Sequence, residues 1–199
     1  MKTLLKLSLL ILTCASLARA QSPQGPVIAG SGPVMEAGVG YTYVRSDVPS
    51  MGSLGMNGVL LSGNADFSRR FGVKLELGYS RSFDAFNTGR STDLLTYMGG
   101  PIFYPIRKRH FNVYTQALFG GARQTGVNID SSGQQLLGFV NKFAWAAGGG
   151  VQYRVTPAFS VRGGFDYLKT SFFNSGQVVQ GQNNLRLGVS VIYTFGERE

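Results

Sequence analysis

Asn183-Asn184-Leu185-Arg186-Leu187-Gly188-Val189-Ser190-Val191-Ile192-Tyr193-Thr194-Phe195 alternates apolar and polar residues over most of its length. Leu185, Leu187, Val189, Val191, Tyr193 and Phe195 recur at period two, while Arg186, Gly188, Ser190 and Thr194 fall between them. Alternation of this kind places the two sets on opposite faces of a β-strand. One face requires an apolar medium, the other does not, and the apolar face ends in two aromatic rings. A strand that meets lipid outside and a polar lumen inside reads this way, with aromatics at the membrane interface.

Working outward, the chain divides into eight two-periodic segments, at about 34–44, 57–68, 73–84, 93–104, 111–123, 139–154, 159–170 and 183–196. Each is near the ~9–11 residues that a tilted membrane strand needs. The connections alternate in character. Arg69 to Gly72, Pro105 to His110 and Val155 to Ala158 are short and turn-like, whereas 45–56, 85–92, 124–138 and 171–182 are mostly longer and more polar. Short turns on one side and long loops on the other are the asymmetry of outer-membrane barrels, turns in the periplasm and loops outside. Both termini then lie in the periplasm.

The outward face carries Val39, Tyr41, Tyr43, Val59, Leu61, Val73, Leu75, Leu77, Tyr79, Leu95, Tyr97, Val113, Phe119, Trp145, Val151, Val161 and Phe165, none of them charged. Phe67, Phe103, Tyr153, Phe159 and Phe195 gather near turn-side strand ends, and Tyr43, Phe83, Phe143 and Tyr167 near loop-side ends, as two aromatic belts. A soluble calycin-like barrel shares the periodicity but buries its apolar face and exposes its charges. The belts, the loop asymmetry and the closing strand favour the membrane form.

The first residues read as an export signal. Lys2 and Lys6 precede the apolar run Leu7 to Leu12, and Ala18-Arg19-Ala20 supplies small residues at the positions a signal peptidase reads. The alternative is a lipoprotein signal acylated at Cys14, but Thr13 is a poor residue before that cysteine. Residues 1–20 are therefore expected as a cleaved signal peptide, 21–33, rich in Pro and Gly, as a flexible periplasmic leader, and 34–196 as the barrel. Loss of Lys2, Lys6 and Arg19 takes the bases from 19 to 16 against 10 acids, so the net charge falls from +9 to +6. The only cysteine is lost too, which excludes a disulfide, a thiol nucleophile and a cysteine metal site. Beyond the signal, no run of about 20 apolar residues could form a membrane helix, and mean hydropathy is only +0.03. A membrane location therefore requires a barrel.

The chain resembles the small eight-stranded outer-membrane barrels typified by the OmpA transmembrane domain, OmpX and the opacity proteins. The resemblance covers about 34–196 and rests on the diffuse strand pattern together with Phe165-Asp166-Tyr167-Leu168-Lys169-Thr170 and Gln182-Asn183-Asn184-Leu185-Arg186-Leu187, which is similar to the last hairpin of such proteins. Gly196-Glu197-Arg198-Glu199 departs from the pattern, because such barrels often end on the aromatic. The resemblance implies an all-β, antiparallel up-and-down barrel in the outer membrane of a diderm bacterium. It also implies contact with outer-membrane lipid and lipopolysaccharide, and delivery by periplasmic chaperones and the barrel-assembly machinery. With four residues after Phe195, no cell-wall-binding domain is expected.

The chemistry is expected inside. Glu36, Asp66, Glu76 and Asp166, with Lys74, Lys142, Arg154, Arg162 and Arg186, fall opposite the lipid-facing set. An eight-stranded barrel is just wide enough for side chains to fill, so charges of both signs should pair and plug the lumen. The alternative is a narrow gated pore in which a base such as Arg162 exchanges between Glu36 and Glu76. Catalysis is not expected. Lipid-modifying barrels need a base beside a nucleophile near the outer leaflet, whereas the one histidine, His110, lies in a turn-side basic run, Arg107-Lys108-Arg109. No metal spacing, phosphate loop or cofactor is implied. The isoelectric point near 9.9 does not imply nucleic acid, since no stacking platform accompanies it. Arg69-Arg70 and Arg107-Lys108-Arg109 read as solvated turns, or as contacts for periplasmic anions or inner-leaflet headgroups. The expected role is therefore structural or surface interaction without catalysis, with the four loops as the contact surface and the partner unspecified.

Overall fold

The computed structural model describes residues 33–48, 52–83, 91–129, 135–175 and 178–195. They form eight antiparallel strands closed into a barrel in sequence order: β1 (Val34–Val48), β2 (Gly52–Asp66), β3 (Phe71–Ser82), β4 (Thr92–Arg107), β5 (Phe111–Ile129), β6 (Gln135–Arg154), β7 (Phe159–Ser175) and β8 (Val178–Phe195). The expected signal peptide and leader lie outside the described residues. Closure is made by β8 on β1, with Met35 opposite Phe195 and Val39 opposite Val191. A closed ladder leaves no sheet edge facing lipid, so the backbone polar groups are satisfied within the barrel.

The faces obey the alternation. Along β3, Val73, Leu75, Leu77 and Tyr79 are exposed, while Lys74, Glu76 and Ser80 are buried. On β8, Leu187, Val189 and Val191 point out, and Arg186, Ser190 and Thr194 point in. Leu75 is 65% exposed, whereas Glu76 beside it is 3% exposed. A soluble barrel would have the opposite assignment, because exposing this much aliphatic surface to water and burying these charges is unfavourable on both counts. The aromatic belts form contacts: Phe71 packs on Phe103 at 4.8 Å and Phe159 on Tyr193 at 5.2 Å at the turn side, and Trp145 on Tyr167 at 5.6 Å at the loop side.

The strands run further toward the loops than the hydrophobic pattern indicates. Much of 45–56, 124–138 and 171–182, expected as loop, is paired strand, out to Val48 opposite Gly52, Ile129 opposite Gln135 and Ser175 opposite Val178. Apolar outward alternation marks only the part of a strand that meets lipid, whereas backbone pairing continues beyond it. The expected contact surface is thus built largely from hairpin extensions.

One irregularity redirects a side chain. Between Phe103 and Ile106, β4 carries one residue more than β5, with Pro105, which cannot donate to the ladder, in the extra segment. The inward parity of Ile102 and Tyr104 therefore moves onto Arg107, which lies opposite the buried Asn112.

Candidate functional site: the barrel lumen

Inward-facing side chains from several strands meet in two ionic groups. In the first, Arg162 on β7 makes a 2.7 Å ion pair with Glu36 on β1. The Gln152 amide donates to Glu36 at 3.2 Å, and its carbonyl oxygen accepts from Arg162 Nη2 at 2.6 Å. Asn64 donates to Glu36 at 3.1 Å. The guanidinium also lies 5.1 Å from the Tyr114 ring centre.

The second group is a closed ring across the lumen. Lys74 pairs with Glu76 at 2.7 Å, Glu76 with Arg186 at 2.5 Å, and Arg186 with Asp166 at 2.6 Å. Gln116 closes it, donating to Asp166 at 2.7 Å and accepting from Lys74 at 3.0 Å. The ring ties β3, β5, β7 and β8 together, and it contains two bases and two acids. Each group is formally neutral, the condition under which buried charges are tolerated: the Coulombic gain then offsets desolvation.

Asp66 lies toward the turn-side end, paired at 2.5 Å with Arg107. Arg107 also donates to the Arg69 carbonyl at 2.9 Å and stacks on Tyr104 at 4.0 Å. This corrects the reading of Arg107 as a turn residue: the β4 bulge turns it inward. Because Arg107 is partly solvated, Arg107→Ala should cost about 1–2 kcal/mol, less than truncation in the buried ring, and urea titration of the folded barrel measures it. A loss as large as that of a fully buried ion-pair partner would contradict this placement.

Lys142 and Arg154 also have inward parity, and both are half-buried, Arg154 as the last residue of β6 and Lys142 within it. Lys142 lies opposite Ala122 at the loop side, and Arg154 opposite Ser160 at the turn side. Arg162 sits on Glu36, while Glu76 is held by Lys74 and Arg186.

Sequence reasoning missed the apolar side chains within the loop-side lumen. Val44, Leu54, Met56, Leu94, Met98, Leu118, Ala122, Ala144, Ala146 and Leu168 form a buried cluster on the loop side of the ionic groups. Two residues loopward of Gln116 comes Leu118, and two loopward of Asp166 comes Leu168, both fully buried. The signal was loss of alternation, as in Leu94-Leu95 and Leu118-Phe119, where both faces are apolar. Asn64, Gln116 and Gln152 carry no charge, so nothing in residue type sets their amides apart from other inward polar side chains. At the turn side Ile102, Tyr104 and Tyr114 pack together. Tyr114 is admitted by a glycine: a Cβ on Gly164 would lie 2.2 Å from its hydroxyl. The space left among Lys74, Glu76, Gln116, Arg162, Asp166 and Arg186 is a cavity of about 20 Å³, room for one water.

Outside, four strands carry one base each at the loop-side margin. Arg45 comes after Tyr43, Arg81 after Tyr79, Lys169 after Tyr167, and Arg123 after Gly121, each by two residues on the outward face. Arg81 pairs with Asp93 at 3.4 Å, and Arg123 stacks on Phe139 at 4.4 Å.

Comparison with known proteins agrees with this architecture. The fold is similar to that of Neisserial surface protein A, at 18% identity over 83% of this chain and 98% of that one, with a TM-score of 0.60. It is also similar to Ail of Yersinia pestis, solved in complex with the heparin analogue sucrose octasulfate, at 17% identity over 82% of this chain and 99% of that one (TM-score 0.57). The N-terminal β-barrel domain of Pseudomonas aeruginosa OprF is similar at 17% identity over 83% of this chain and 99% of that one (TM-score 0.51). No match was found among curated protein sequences. A family profile described as outer membrane protein beta-barrel domain matches residues 7–195. The chain therefore belongs to the outer membrane protein beta-barrel domain family.

Proposed function

We propose that this barrel is a non-conducting, non-enzymatic outer-membrane protein that presents its loop-side hairpins as an interaction surface. The observation that carries this reading is the layered lumen. Two neutral ionic groups are succeeded, toward the loops, by the cluster around Met56, Met98, Leu118 and Leu168. An ion that displaced Arg162 from Glu36 would still face the packed layer of Met56, Met98, Leu118 and Leu168, and apolar side chains at a constriction are a barrier to ions. The gated-pore alternative therefore needs more than exchange of one base between two acids.

Among the described residues, the placement of the candidate groups does not favour catalysis. The neighbouring carboxylates Glu76 and Asp166 share Arg186 inside the barrel, away from lipid and hairpins, and His110 is exposed on a turn-side bend. Arg45, Arg81, Arg123 and Lys169, just beyond the loop-side aromatics, lie where phosphates of outer-leaflet lipopolysaccharide would meet them.

Planar-bilayer recording from the refolded chain, with a heat-modifiable gel shift to show folding, tests the reading. The wild-type barrel and Arg162→Ala are both expected to be silent, and R162A combined with M98S, L118S and L168S to pass current. Stable current steps from the wild-type barrel would overturn the proposal.

A further inference from the structure

The turn-side rim carries a charge feature that neither the lumen nor the hairpins use. Arg69 and Arg70 in the β2–β3 turn, and Lys108 and Arg109 in the β4–β5 turn, are all exposed. The two turns are fastened to each other. Tyr104 N–H donates to the Arg70 carbonyl at 2.8 Å, and Arg107 donates to the Arg69 carbonyl at 2.9 Å. The four bases thus form one patch, with no acid in residues 67–71 or 108–111. Asp66, the carboxylate that adjoins the first turn, is taken by Arg107.

Directly beside this patch stand apolar side chains of the lipid-facing belt. Phe67, Phe71, Ile106 and Phe111 are exposed, and Phe71 packs on Phe103. Rings that sit at the hydrocarbon boundary place cations one or two residues away at headgroup height. A binding site for a soluble anion would not require that apolar shelf. We propose that the two turns together form an anchor for anionic phospholipid of the periplasmic leaflet, with Arg69, Arg70, Lys108 and Arg109 at the phosphates and the Phe71–Phe103 pair against the acyl chains.

Native mass spectrometry of the folded chain, incubated with equal amounts of phosphatidylglycerol and phosphatidylcholine, tests the anchor. Several bases acting together near an anionic surface should give a preference for phosphatidylglycerol of about tenfold, falling at high salt. R69Q/R70Q/K108Q/R109Q should lose most of that preference while keeping its gel shift, and R69K/R70K should retain it. Loop-side R45Q/R123Q should leave the turn-side part in place. An unchanged preference in the quadruple variant would overturn the proposal. So would displacement of the lipid by free glycerol phosphate, which would assign the patch to a soluble anion.

Discussion

Arg186→Ala is expected to destabilise the folded barrel by about 3–5 kcal/mol, the loss typical when one partner of a buried ion pair is removed. Arg186 is 3% exposed and bridges Glu76 and Asp166. Its removal leaves two acids against one base, Lys74, in a ring that is neutral in the parent. The desolvation of both carboxylates remains, while their shared partner is gone. Urea titration monitored by the gel shift reads the effect. Combining R186A with D166N should recover part of the loss, because one of the stranded charges is removed with its partner. A single-variant loss below about 1 kcal/mol would place the ring with weak surface pairs instead.

Leu118→Ala is expected to cost about 2–5 kcal/mol, the range for an aliphatic truncation that leaves a cavity. Leu118 is fully buried in the loop-side cluster with Leu168 and Met98, and the strands around it are fixed by the closed ladder, so the space cannot collapse. Leu75→Ala on the lipid face supplies the comparison. Leu75 is 65% exposed toward the bilayer, where fluid acyl chains fill the vacated volume and no cavity term arises. Measured in the same lipid, L118A should be the more destabilising of the two. Equal losses would mean that the loop-side cluster is loosely packed, and would weaken the argument that it bars ions.

Several elements of this site were readable from residue order alone, and others were not. Inward parity of Glu36, Lys74, Glu76, Arg162, Asp166 and Arg186 comes from the pleat, and each of these side chains is buried inside the barrel. Their partners were not readable: Glu36 and Arg162 are separated by 126 positions in the chain, and no local pattern links them. Arg107 was misplaced because one extra residue at Tyr104-Pro105 reverses the parity of Ile106 and Arg107. Parity places Lys142 and Arg154 on the inward face but carries no information about their height along the barrel axis. The loopward strand extensions were read as loop because their polar residues lack the alternation that lipid imposes.

Strand number, the lipid-facing surface, the aromatic belts and the burial of charges of both signs follow from residue order alone. These are properties of single strands, set by a side-chain period of two and by the solvent on each face. Barrel closure is what groups the charges into a pair centred on Arg162 and a ring centred on Arg186, sets an apolar cluster loopward of them, and fastens the two basic turns to each other. The reason is geometric. Which side chains meet across a barrel depends on the stagger accumulated around all eight strands and on the bulge in β4, and closure determines both together.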